Sequence, residues 1–122
     1  MGKKRKRKIR RHGAYTGKNR HHLLFQRRHW DKGPERILHK EFVYMLDVKI
    51  HDELHNAVIK DIPKPSSKAI LSILEAFQAQ RQEINQMNIV EASEWLQNAC
   101  DEEPYHTTMK LQTLFLRERL GK

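Results

Sequence analysis

The sequence predicts an α+β protein: a β-hairpin and one helix in the first half, with a C-terminal group of about three helices packed on them. Three observations predict it. Phe42-Val43-Tyr44-Met45-Leu46-Asp47-Val48-Lys49-Ile50 concentrates β-branched and aromatic residues over about the length of a strand. Beyond residue 66, apolar residues recur every three or four positions, the spacing of helices with one buried face. The 122 residues suffice for one domain with a small core, which excludes an enzyme built from separate cofactor and substrate modules.

Along the chain, residues 1–18 read as a basic arm that is mobile when unbound, because almost nothing in them can be buried to offset the cost of ordering. A short strand is expected from Asn19, through His21-His22-Leu23-Leu24-Phe25. A loop follows, with a turn at Asp31-Lys32-Gly33-Pro34. The second strand occupies 42–50. From His51 the period changes, since Ile50, Leu54, Val58 and Ile62 recur at helical spacing until Pro63 and Pro65 end the run. Strand, strand, helix is therefore the expected order of a unit spanning 19–62.

Residues 66–122 form the helical part of the same domain. Ser66 or Ser67 is placed to cap a helix whose inner face carries Ala69, Ile70, Ile73, Leu74 and Phe77, and which is expected to run to about Ile84. Asn88 and Glu91 have the spacing of a capping box ahead of Ile89, Ala92, Trp95, Leu96 and Ala99. Asp101-Glu102-Glu103-Pro104 marks an acidic, solvated turn. A last helix, capped near Thr107 or Thr108, is expected to carry Leu111, Leu114 and Phe115 inward and to close at Gly121.

The formal charge of +9 is unevenly distributed. Ten of the 24 basic residues and none of the 15 acids lie in residues 1–20, so the body is nearly neutral. Lys3, Lys4, Arg5, Lys6, Arg7, Lys8, Arg10 and Arg11 make the arm a candidate contact for a polyanion, nucleic acid above all. Arg27 and Arg28, beside His29 and Trp30, are candidates for the same partner through phosphate contacts or stacking on a base; for Trp30 itself, anchoring the hairpin on the helices is the preferred reading. A single cysteine, Cys100, excludes an intramolecular disulfide and points to a reducing compartment, where it is expected to be a half-buried thiol. No run of about 20 apolar residues is present, and the charged start lacks the apolar stretch of a signal peptide, so a cytoplasmic protein without a membrane partner is expected.

The eight histidines carry the chemistry. His51 and His55, four apart on a helix, share a face one turn apart and can share a metal ion. His21 and His22 are adjacent on a strand, so their side chains point to opposite sides and can serve different purposes. If the hairpin packs on the helix, His21 completes a three-nitrogen site, and three protein ligands with an open fourth position are the pattern of a catalytic zinc. Imidazoles suit zinc, nickel or copper, and availability favours Zn2+. Asp47, Asp52 and Glu53 are the nearby carboxylates that can hold the second ring nitrogens. His12 and His106 are expected in exposed loops. No P-loop, dinucleotide fingerprint or serine-nucleophile motif is present.

Asn19-Arg20-His21-His22-Leu23, a hairpin strand and Ile50-His51-Asp52-Glu53-Leu54-His55 resemble the HNH, or ββα-metal (His-Me finger), nuclease motif in its colicin-nuclease form. The resemblance spans roughly residues 19–60. It implies His21, His51 and His55 as metal ligands and His22 as the general base that activates water against a phosphodiester, with the metal polarising the phosphate. The family also places an Asn between the histidine pair and the helix to orient that base. Residues 23–50 contain none, and Ile37-Leu38-His39-Lys40-Glu41 stands in its place, with His39 as a substitute hydrogen-bond partner. Residues 19–30, ending Leu24-Phe25-Gln26-Arg27-Arg28-His29-Trp30, also resemble short proteins of phages and mobile elements of Gram-positive bacteria, anti-CRISPR inhibitors among them.

Three functions follow as expectations. The first is a non-catalytic, zinc-binding, phage-type protein in the bacterial host cell that binds a host defence nucleoprotein, such as a CRISPR effector nuclease, and prevents it from engaging DNA. The second is a metal-dependent HNH-type endonuclease with His22 as base. The third is a DNA-binding accessory protein whose zinc is structural.

Overall fold

The computed structural model describes residues 18–23, 33, 35–58 and 64–120, apart from the side chains of Lys18, Asn19 and His22. It is mostly helical with one small antiparallel sheet. Strand β1 (Lys18–His22) is followed by α1 (Glu35–Glu41), β2 (Val43–Asp47), α2 (Val48–Ala57), α3 (Ser67–Ala79), α4 (Arg81–Asn85), α5 (Ile89–Ala99) and α6 (Tyr105–Leu120). The α+β class holds. The expected strand-strand-helix order changes, because α1 lies between the two strands.

β1 and β2 pair with His21 opposite Tyr44 and His22 opposite Val43, and Leu23 N donates to Phe42 O at 2.9 Å to extend the ladder. Alternation then sorts the faces: Arg20 and its partner Met45 are exposed, while His21, Leu23 and Leu46 are buried. Gly33, at a positive φ of 59°, makes the turn ahead of α1 that a side chain would strain, and its carbonyl accepts from Arg36 N at 3.1 Å. Helix α1 spans two turns, too few for a period to show. Its signature is the four-residue spacing of Leu38 and Phe42, both fully buried, with Phe42 N bonded to Leu38 O at 3.1 Å.

The second strand stops at Asp47 rather than Ile50. Asp47 Oδ1 accepts from Lys49 N at 2.9 Å and caps α2, so Val48 and Ile50 are helical despite their β-branched side chains. Packing of α2 on both strands and on α6 overrides the local propensity. The helix expected from 67 to 84 breaks at Gln80 into α3 and α4, making four C-terminal helices where three were expected. Gln80 Oε1 at the break accepts from Trp95 Nε1 at 3.2 Å.

Ser66 caps α3 through Ala69 N, and Asn88 and Glu91 form a complete capping box on α5. Asn88→Ala is therefore expected to cost about 1 kcal/mol, read as a lower urea midpoint at unchanged slope. The acidic turn does more than face solvent: Glu102 accepts from Ser66 N at 2.8 Å and from Ser66 Oγ at 2.6 Å, tying the start of α3 to the loop before α6. These bonds hold the Glu102 carboxyl below its ordinary value. His106 is helical and half-buried rather than an exposed loop residue, and its Nδ1 donates to Gln97 O and Cys100 O at 3.0 and 3.1 Å, closing the end of α5. Cys100 is buried rather than half-buried, and that burial pushes its thiol up, away from the reactive thiolate.

The last helix begins at Tyr105, and of the three residues expected to face inward only Phe115 packs, partly buried, against the core. Leu111 and Leu114 are about half exposed, whereas Tyr105, Met109, Gln112, Thr113 and Leu116 are buried. Its inner stripe contains two polar residues, which is why the most apolar positions pointed to the wrong side. Phe42, Phe77 and Trp95 join the two halves: the Phe42 ring lies 5.6 Å from Phe77 and stacks on Trp95 at 5.9 Å. Among the described residues, no helix is long and apolar enough to cross a membrane.

Candidate metal centre

The three expected ligands meet. His21 reaches inward from β1, and His51 and His55 come from successive turns of α2, the helix that packs on that strand. Ring centroids are 5.0 Å apart for His21 and His51, 5.6 Å for His21 and His55, and 4.5 Å for His51 and His55. One nitrogen from each ring lies within 4.8 Å of the others. Nitrogens on a tetrahedral zinc stand about 3.3 Å apart, from a metal-nitrogen distance of about 2.05 Å, so the three rings would draw closer together around an ion.

Burial suits the donors to a cation. It pushes the His51 imidazole below its ordinary value, with His55 adding to the effect and Asp52 opposing it. It lowers His55 in the same way, again against Asp52. Neutral imidazole is the ligating form, so both rings keep their lone pairs at neutral pH. The same shifts fix a stability trend for the metal-free protein. An unfolded imidazole titrates near 6.5 and the folded ones lower, so between those values the unfolded chain holds more protons. Stability from these groups is complete above that window and is lost as pH falls through it. Thermal melts in chelator are expected to show a lower midpoint at pH about 5.5 than at about 7.5, and a smaller difference in the His51→Ala, His55→Ala double variant.

His21 is fully buried, and its Nε2 bonds Gln112 Oε1 at 2.9 Å. Gln112, also fully buried, comes from the middle of α6 and was not among the sequence candidates. Its signal was the stripe Tyr105, Met109, Gln112, Leu116, spaced four, three and four, which places a glutamine on a core face. Of the carboxylates expected to steady the rings, two are bonded elsewhere, and Asp52 acts on His51 and His55 through its charge. Asp47 caps α2, Glu53 pairs with Arg119 of α6, and Asp52 is exposed.

The remaining candidates divide by where the description reaches. His22 lies on β1 opposite Val43, but its side chain is outside the described set, as are Lys3, Lys4, Arg5, Lys6, Arg7, Lys8, Arg10, Arg11, Arg27, Arg28 and Trp30. His39, expected to stand in for the Asn of the nuclease motif, is buried on α1. Comparison of the chain with family models, with curated proteins and with solved structures finds no match.

Proposed function

We propose that this is a zinc protein that acts by binding rather than by cutting, with a host defence nucleoprotein of the CRISPR-effector kind as its target and DNA engagement as the step it prevents. The observation that carries the reading is His21: a fully buried ring, bonded into the helical group by Gln112 and grouped with His51 and His55 so that one nitrogen of each lies within 4.8 Å of the others. An ion there ties the strand pair to α2 and, through Gln112, to α6. A two-stranded sheet needs such support, being marginal by itself. The absence of any Asn in residues 23–50 removes the group that orients the base in the nuclease motif, and a misplaced base loses orders of magnitude in rate. The basic arm then serves as the polyanion contact, and the setting is the cytoplasm of a bacterial host.

A second reading, the HNH-type endonuclease, is favoured by one feature. His51 and His55 are only half-buried, so an ion they hold can keep the water that a hydrolytic metal needs. Supercoiled plasmid incubated with the protein and zinc, magnesium, manganese or nickel separates the two. The binding reading predicts no nicking with any metal, together with dose-dependent suppression of target binding by a CRISPR effector ribonucleoprotein. Nicking that His22→Ala abolishes overturns it in favour of the nuclease. DNA binding that falls steeply with salt and vanishes on deletion of residues 1–18, without effector inhibition, overturns it in favour of the DNA-binding accessory protein.

A further inference from the structure

Gln112 sits at a junction where each partner restricts the next. Its Nε2 donates to Leu23 O at 3.2 Å and to Ser93 Oγ at 3.4 Å, while its Oε1 faces His21 Nε2 at 2.9 Å. A backbone carbonyl can only accept, so Leu23 O fixes which end of the amide points to it. The end that faces His21 must then be the oxygen, also an acceptor only, and His21 must donate to it from Nε2. The tautomer with hydrogen on Nε2 carries its lone pair on Nδ1. The amide is further held by Ser93, whose Oγ lies 2.7 Å from Thr113 Oγ1, and Thr113 Oγ1 donates to Met109 O at 2.9 Å. All of Ser93, Gln112 and Thr113 are buried, and the network links α5, α6 and the end of β1.

We infer that Gln112 is a positioning residue for the metal centre: through Leu23 O and Ser93 it locks His21 in the Nε2-H tautomer, so that His21 binds a divalent transition-metal ion through Nδ1. This deepens the zinc reading above and rests on it. A ligating histidine that donates its other ring N-H to an acceptor is held in orientation and made a better base, and loss of such an acceptor costs about 10- to 100-fold in metal affinity.

The full-length protein tests this in two measurements. Long-range nitrogen-15 correlation spectra of the metal-free protein at neutral pH should show His21 protonated at Nε2 alone; the Nδ1-H tautomer overturns the inference whether or not metal binds. Zinc affinity, from competition with a chromophoric chelator, should then fall about 10- to 100-fold in Gln112→Met and by far less in Gln112→Glu, whose carboxylate still accepts from Nε2 even though it repels Leu23 O. A cobalt-loaded sample should keep its tetrahedral absorption bands in Gln112→Glu and shift them in Gln112→Met. Both variants are expected to melt earlier, because both lose the bond to Leu23, so melting alone decides nothing and affinity of the folded fraction is the readout. Wild-type zinc affinity in folded Gln112→Met overturns the inference and leaves the zinc reading standing. A wild-type chain that holds no divalent ion overturns that reading, and the metal role of Gln112 with it. Should Gln112→Met fail to fold, the tautomer spectrum and the Gln112→Glu affinity carry the test.

Discussion

Replacing His51 or His55 by alanine is expected to strip the protein of its metal and to lower its melting temperature in zinc by on the order of 15 °C. A ligand bound only by the folded state stabilises by RT ln(1 + [L]/Kd), about 4 kcal/mol when free zinc is a thousand times Kd, and each kcal/mol moves the midpoint of a domain this size by about 4 °C. Either substitution leaves two nitrogens from different turns or elements, too few for tight binding. Because His51 and His55 are only half-buried, the loss should come almost entirely from the metal: in excess chelator, wild type and variants should melt within about 3 °C of one another. His21→Ala should differ. It empties a buried site and strands Gln112 Oε1, adding about 1–3 kcal/mol that chelator does not remove. Differential scanning calorimetry with and without chelator separates the two contributions.

The second large effect is expected at Phe42. This residue follows α1, precedes β2, accepts the ladder bond from Leu23 N, and places a fully buried ring between Phe77 of α3 and Trp95 of α5. Phe42→Ala should cost about 3–5 kcal/mol, the transfer free energy of the ring plus the cavity it leaves. Since the ring bridges the metal unit and the helices, the loss should also loosen the site, and zinc affinity should fall alongside stability. Ile37→Ala on the neighbouring α1, at an exposed position, should stay within about 0.5 kcal/mol. Urea unfolding of both variants checks the pair; a Phe42→Ala cost under about 1 kcal/mol would mean that the two halves fold independently.

How much of this was legible depended on whether the decisive interaction was local. The pairing of His51 with His55 and the capping box at Asn88 are set by spacing within one or two turns, and the structure has both. That His21 joins the pair could be stated from alternation along a strand, because one face of β1 had to meet α2. Helix α1 escaped notice since two turns offer only one repeat, Leu38 to Phe42, and the start of α2 was read as strand because Val48 and Ile50 are β-branched. The face of α6 was misjudged for a non-local reason. Gln112 and Thr113 are polar in isolation and become core residues only when Ser93 and His21 arrive from elsewhere in the chain. Polar groups that satisfy one another at long range leave no periodic trace, and the partner of His21 was hidden with them.

That His21, His51 and His55 hold one zinc ion is the claim on which the rest depends, and isothermal titration of zinc into chelator-treated protein tests it most directly, with His51→Ala as the companion sample. One equivalent bound tightly by the wild type and none by the variant is the predicted result. A wild type without saturable zinc binding, or a variant that still takes up one equivalent with wild-type affinity, would contradict it.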